Sequence, residues 1–323
     1  MKQDRSVHGI YRWLFALGSA LCLLSFSLCS HAEVLRIGYQ KSSTLMIILK
    51  SQGTLEKQLA PLGIQVQWNE FSSGQPLLEA LNAGSIDLSA DVAGPVPLFA
   101  QAARAQLTYL AQETPSPTAQ AIVVPKNSTI KTLAELKGKT IGVAKASGAH
   151  YLLLQTLKQA GLQIKDVRIA YLQPADARGA FEQGAINAWA IWDPFLSAVL
   201  KQSEARILSD GDTAGVSYRR FYLVSTPYAR RNPRVLQTVL AALGKTGDWV
   251  KKYPQQAAVL YAPLIGLDTA SVSSANRRRS YKVILLDQAA LNEQQTIADV
   301  FYNEKLLPQK VDVRRCDIWK GQH

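Results

Sequence analysis

The sequence predicts an α/β fold of two lobes joined by two crossings, and three observations carry that prediction. Short β-rich runs alternate with helical ones from residue 34 onward; the alternation breaks at Gln112-Glu113-Thr114-Pro115-Ser116-Pro117 and restarts; and beyond Ser225 the chain is almost all helical. Such alternation implies a mainly parallel sheet covered on both faces. A helical tail lacking strands must pack on something already made, so the chain is expected to cross to a second lobe near residue 118 and return near residue 220. Two crossings make a hinge, with ligand binding in the cleft between the lobes.

In the first unit, 34–39 reads as a strand and 45–59 as a helix ended by Pro61-Leu62-Gly63. Val66 and Trp68 alternate with polar neighbours, which makes 65–71 a second strand. A helix over 75–83 stops at Gly84; a strand over 86–90, a short helix over 97–103 and a strand over 107–110 follow. In the second unit the strands are 121–124, 140–144, 167–171, 188–191 and 206–208, and the helices 133–136, 151–160, 175–183 and 194–201. Leu153, Leu157 and Ala160 share one helical face, which marks the core side of that helix. A last β-rich run, 221–225, precedes the helical tail, where Ile297, Val300 and Phe301 keep helical spacing.

At 323 residues, with 47% hydrophobic and 19% charged residues, the chain has the composition of a folded globular protein large enough for two cores. Lys2, Arg5 and Arg12 precede an uncharged apolar run over 13–28, and Ser30-His31-Ala32 places small residues at the −3 and −1 positions. That is the pattern of a secretory leader cut after Ala32, so a periplasmic location is expected. Its removal takes away Cys22 and Cys29, which leaves Cys316 and no internal disulfide to form. The formal charge of +12 is scattered, with Arg230-Arg231 and Arg277-Arg278-Arg279 as its densest clusters, and no nucleic-acid module surrounds them. A small anion is the simplest partner for such a surface, and a solvated surface without further meaning is the alternative.

Lys145-Ala146-Ser147-Gly148-Ala149-His150-Tyr151 links the apolar run 140–144 to a leucine-rich helical segment. A strand that turns through Ser-Gly into a helix leaves backbone N–H groups without intrahelical partners, and the positive end of the helix favours an oxyanion there. The bland reading makes Ser147 only an N-cap, worth about 1 kcal/mol. The chain repeats the device at Gly38-Tyr39-Gln40-Lys41-Ser42-Ser43-Thr44, which suggests one shared cleft. Catalytic zinc needs three protein ligands of the His, Glu, Cys set, and beyond the leader the chain offers only His150, His323 and Cys316 from its histidines and cysteines. No Gly-x-Ser-x-Gly elbow or phosphate-cradling loop is present.

Seven stretches together resemble the periplasmic substrate-binding proteins of nitrate, sulfonate and taurine ABC importers, the aliphatic sulfonate binders above all. They are 35–41, Leu78-Glu79-Ala80-Leu81-Asn82-Ala83-Gly84-Ser85-Ile86-Asp87-Leu88, 98–103, Leu136-Lys137-Gly138-Lys139, the 147–150 turn, Pro174-Ala175-Asp176-Ala177-Arg178 and Trp189-Ala190-Ile191-Trp192-Asp193-Pro194. The resemblance implies a two-lobed periplasmic binding protein of type II, with a leader over 1–32, lobe I over 33–118 plus 221–323, and lobe II over 119–220. It also implies no enzymatic activity, no cofactor and no metal. A carrier of that family, expected to be a monomer, captures a small organic anion by lobe closure and hands it to a permease and ATPase, in the service of sulfur metabolism.

For the site, Gln40, Ser42 and Ser43 match the first-lobe turn of the family, and Ser147, Gly148 and His150 the second. Trp192 and Asp193 match the far wall, although Asp193 before Pro194 is also a good N-cap. Arg178 could pair with the anion, but its place in a helix favours an ion pair with Asp176 or Glu182 or a role at the hinge, and His150 is expected in a neutral hydrogen-bonding role. Gly74, ahead of the helix 75–83, joins the candidate ligand-binding set. One departure stands out: Ser89-Ala90-Asp91-Val92-Ala93-Gly94-Pro95-Val96-Pro97 replaces the Gly-rich turn with paired prolines usual in sulfonate binders. Asp91 there would suit the ammonium of a taurine-like zwitterion or pair with Arg104. The rival solutes are that zwitterion and a pyrimidine or thiamine precursor, for which Tyr39, Trp192 and Tyr222 could stack. A thiamine-precursor synthase, cytosolic and of the same fold, is the enzyme rival.

Overall fold

The computed structural model describes residues 33–321. The leader expected over 1–32 lies outside the described residues, as does His323. The first unit runs β1 (Glu33–Gln40), α1 (Thr44–Gln52), α2 (Thr54–Leu59), β2 (Ile64–Phe71), α3 (Gly74–Asn82), β3 (Leu88–Ala93), α4 (Pro95–Ala102) and β4 (Leu107–Glu113). The single helix expected over 45–59 is broken, because Gly53 adopts the left-handed conformation at φ 59° that closes α1.

The second unit runs β5 (Gln120–Pro125), β6 (Thr140–Val143), α5 (Gly148–Gln159), β7 (Arg168–Tyr171), α6 (Pro174–Glu182), β8 (Ala188–Trp192), α7 (Phe195–Gln202), β9 (Ala205–Asp210) and α8 (Gly211–Ala214). α5 starts three residues before the apolar periodicity does, because Ser147 caps it: its Oγ accepts from the His150 backbone N–H at 3.2 Å. The return strand β10 (Arg220–Ser225) leads into α9 (Thr226–Arg231), α10 (Pro233–Lys252), α11 (Pro254–Ile265), α12 (Thr269–Arg278), β11 (Val283–Ile284), α13 (Gln288–Asn303) and β12 (Asp317–Ile318).

Among the described residues one sheet has the order β11-β4-β10-β3-β1-β2, with β12 against β4, and the other β7-β6-β8-β5-β9. β1 pairs with β3 in parallel, as β6 does with β7 and β8. β10 runs antiparallel to β3 and β4, and β5 antiparallel to β8 and β9. The sheets are therefore mixed rather than mainly parallel, for a topological reason. β5 and β10 are the strands that leave a crossing, so each runs away from the cleft while its neighbours run toward it. The crossings are tied together by the Ser116 N–H, which donates to the Ser217 carbonyl at 2.9 Å.

The tail, expected on the first lobe, divides. Leu236, Val239 and Leu243 of α10 and Tyr261 of α11 share a core with Leu35 and Ile37 of β1. Ile297, Ala298 and Phe301 of α13 instead enter the core that holds Leu153 and Leu157 of α5 and Leu98 of α4. α13 thus packs on both units, and each buried side chain of this size contributes roughly 1.5–3 kcal/mol.

Candidate functional site

The strand directions bring the carboxyl ends of β1, β3, β6 and β8 and the amino end of β10 to one level, where ligands of open α/β sheets are bound. A cleft at this level is lined by Gln40, Gly74, Ala93, Val96 and Arg220 from the first sheet's side and by Ser147, Gly148 and Trp192 from the second, with Tyr218 of the return crossing. Its free space is about 270 Å³, counted out to open solvent. Of the predicted residues, Gln40, Gly74, Ser147, Gly148 and Trp192 are brought together here.

Gly148 is required by close approach: a Cβ there would lie 2.6 Å from Cε2 of Tyr218 and 2.9 Å from Cβ of Ala93. Gly74 is also tight, with Cγ2 of Val96 at 3.0 Å from the position of its Cβ. Tyr218 takes φ 53°, a left-handed backbone uncommon outside glycine, where the walls meet. Trp192 and Val96 supply apolar wall, and Gln40, Ser147 and Arg220 the polar groups.

Arg220 was not singled out from the sequence, although the pair Arg219-Arg220 directly before the β-rich run 221–225 is a visible signal. The reason it escaped is distance along the chain. Its Nη2 lies 2.5 Å from Oδ2 of Asp91 and donates to the Asp91 carbonyl at 3.2 Å, across 129 positions of sequence. Its Nε is buried and has no partner. Behind it, Arg279 donates to Asp91 at 2.9 Å, to Glu113 at 2.6 Å and to the Ser42 carbonyl at 2.8 Å. Burial pushes the Asp91 carboxyl up, against the pull of Arg220 and Arg279. Glu113 is buried too, but Arg279 and Arg220 outweigh that and hold it low. The network of these two arginines and two acids balances in formal charge, and it leaves Nε of Arg220, Nε of Arg279 and Oδ1 of Asp91 without partners, Arg220 being the one of the three residues that lines the cleft.

The same network corrects several expectations. Asp91 pairs with Arg220 and Arg279 rather than with Arg104, and it is not among the residues that line the cleft. Tyr222 is fully buried in the first lobe, where its hydroxyl donates to Glu113 at 2.8 Å, so it cannot stack on a ligand. Ser42 and Ser43 lie behind the cleft wall: Ser43 Oγ accepts from the Gln40 N–H at 3.1 Å, and Ser42 Oγ from Arg220 at 3.4 Å. On the first-sheet side the cleft is met by the first turns of α3 and α4, at Gly74 and Val96, instead of by α1.

His150 is fully buried beneath the second-lobe turn, its ring edge-on to Tyr171 and Phe301. Its Nδ1 accepts from the Ala146 N–H at 3.3 Å, and burial with Lys145 nearby lowers its pKa to about 4. It is therefore neutral and supports the turn without facing the cleft. Asp193 is buried and accepts from the Ser197 N–H at 3.0 Å at the start of α7, while Arg278 of α12 stands 3.3 Å away. Its role is to cap that helix and to pair with an arginine from the first lobe. Arg178 pairs with Glu182 at 2.9 Å, which is one of the structural pairings expected of it.

A wider hollow, about 1620 Å³ counted the same way, lies at the opposite end of β4 and is lined by Arg104, Arg230, Arg231 and Lys310. It is formed by the first sheet's side alone and lacks buried unpartnered donors, so size does not make it the better candidate. Among the described residues no group of three or more His, Cys, Asp or Glu side chains could hold a metal ion.

Comparison with known proteins shows the family. The family model described as NMT1/THI5 like matches residues 60–257. An aliphatic sulfonates-binding protein of Escherichia coli is 43% identical over 310 residues, 94% of this chain and 95% of the relative. One of Bacillus subtilis is 34% identical over 87% of this chain and 84% of its own length. The solved alkanesulfonate-binding protein of Xanthomonas axonopodis pv. citri, bound to MOPS, superposes with a TM-score of 0.83 at 39% identity, covering 88% of this chain and 98% of that one.

Proposed function

The chain belongs to the NMT1/THI5-like family and groups within it with the aliphatic sulfonate-binding proteins, and from that premise we propose that it is the extracytoplasmic solute-binding component of an ABC importer. It captures an aliphatic sulfonate between its lobes and delivers it, unaltered, to a membrane permease and its ATPase. Residues 33–118 with 221–323, and 119–220, are the two bodies that close, and the leader directs the protein to the periplasm, where it works as a monomer.

The observation that carries this reading is Arg220, buried at the cleft with Nε unpartnered while its other nitrogens are held by Asp91 and Ser42. A sulfonate oxygen would accept from that Nε, and from N–H groups at the start of α5 beside Ser147 and Gly148. The indole of Trp192 and the methyls of Val96 and Ala93 would cover the alkyl chain. The same walls offer no pair of parallel aromatic faces for a pyrimidine, since Tyr222 is in the core.

The test is titration calorimetry and thermal unfolding of the purified protein with short alkanesulfonates, sulfate, taurine and pyrimidines. A solute at 100 times its Kd adds about 2.7 kcal/mol of stability. Alkanesulfonates should do so, and Arg220→Gln should weaken their binding at least a hundredfold. Stabilisation by pyrimidines alone would refute the reading.

A further inference from the structure

Beyond Tyr218 and Gly148 the cleft has a second chamber. It is small, with a cavity volume of about 10 Å³, room for roughly one water-sized group, and it shares both residues with the first; its other walls include Gln120, Tyr151, Arg219 and Glu293. Arg219 and Glu293 are already paired at 2.7 Å, so they bring no net charge. Gln120 is different. It opens β5 at the first crossing, is fully buried, and neither its amide oxygen nor its amide nitrogen has a partner.

A buried primary amide with both ends unmet is costly, and native interiors rarely keep one without something that fills the gap. Gln120 presents one acceptor and two N–H donors. Its complement is a group that both donates and accepts. A bare alkyl end would leave the amide as it stands, and an anion would satisfy only its donor.

We propose that this chamber is a second subsite, which receives a hydroxyl at the far end of the solute while its anionic head sits at Arg220. This rests on the sulfonate reading above and narrows it to sulfonates with an uncharged hydrogen-bonding tail. Tyr218 stands between the chambers with its left-handed backbone, and Gly148 lets the second lobe approach close enough to complete both.

The experiment compares 2-hydroxyethanesulfonate with propane-1-sulfonate, which differ by a hydroxyl in place of a methyl. The full chain without its leader is titrated with each by calorimetry. The wild type is expected to bind the hydroxylated solute about tenfold more tightly, and Gln120→Met, similar in size but without the amide, to bring the ratio to within twofold of one. Wild-type and variant ratios that agree would overturn the second subsite alone, because a buried water then satisfies Gln120. Should Gln120→Met fail to fold, equal wild-type affinities for the two solutes would overturn it just as well. Failure of the wild type to bind either sulfonate would overturn the sulfonate reading and the subsite with it.

Discussion

Arg278 of α12 donates from Nη1 to Ser197 Oγ at 2.6 Å and lies 3.3 Å from Asp193, so a helix of the first lobe grips the mouth of a helix in the second. Asp193 is buried, and burial raises its pKa against the pull of Arg278 and the Ser197 hydrogen bonds. Nearby, Lys201 and Gln202 of α7 both donate to Asp268 at the start of α12, at 3.0 and 2.8 Å. These contacts join the lobes beside the first crossing, where the Asp193 N–H donates to the Ala119 carbonyl at 2.8 Å and the Ser280 N–H to Ser116 Oγ at 2.9 Å.

Arg278→Met should therefore favour separation of the lobes. Breaking a buried ion pair from one side leaves the other charge stranded, and the protein can relieve that by letting water reach Asp193. The expected outcome is about a tenfold loss of solute affinity, with a larger radius of gyration in scattering without ligand. An unchanged scattering profile together with unchanged affinity would count against the clasp.

Arg279→Met addresses stability instead. Its guanidinium is fully buried between Asp91 and Glu113, and its removal should cost about 3–5 kcal/mol in denaturant unfolding. Arg279→Lys should recover little of that, because one ammonium cannot reach both carboxylates and the Ser42 carbonyl in that planar arrangement. Full recovery by lysine would mean that charge alone matters there.

His150 sets a pH dependence with a definite sign. Its folded pKa of about 4 lies below the ordinary 6.5, so between those values the unfolded chain binds more protons. Its contribution is present above pH 6.5 and is lost as pH falls toward 4, by up to about 3 kcal/mol. The difference between wild type and His150→Phe, measured by urea midpoints from pH 7 to pH 4, should shrink in that window. Charges facing the ring are limited to Lys145, so a parallel pair of profiles would show that the imidazole does not titrate as argued.

Gly148→Ala places a methyl against Tyr218 and Ala93, which come from the return crossing and from β3. Closure should be obstructed, with at least a tenfold loss of affinity by calorimetry. Gly179→Ala is the control: it lies in α6 with nothing near its Cβ position, and alanine there should add about 0.5–1 kcal/mol of stability while leaving affinity alone. Equal affinities of the two variants would argue against a tight joint at Gly148.

Much of the fold is legible in local pattern. The Ser147-Gly148 turn could be read because strand, cap and helix are contiguous, and Trp192 because the run 188–192 is continuous. What escaped depends on residues far apart in sequence. Arg279 and Asp91 are 188 positions apart, and no periodicity reports that they meet. Tyr222 looked available to a ligand because an aromatic residue in a short strand says nothing of whether one face of the sheet is covered or both. β11 and β12 were missed since strands of two residues have no alternation to detect. Asp91 was assigned to Arg104 or a ligand's ammonium for the same reason that Arg220 was overlooked: each explains the other.

The position of α13 has one more consequence. Phe301 meets His150 edge-on at 5.3 Å and lies over Tyr151, a greasy joint that can slide without losing a directional bond. Arg278 and Asp193 can only let go. One joint therefore slides while the other, beside the first crossing, has to break, and engineering of release rates should begin at the one that breaks.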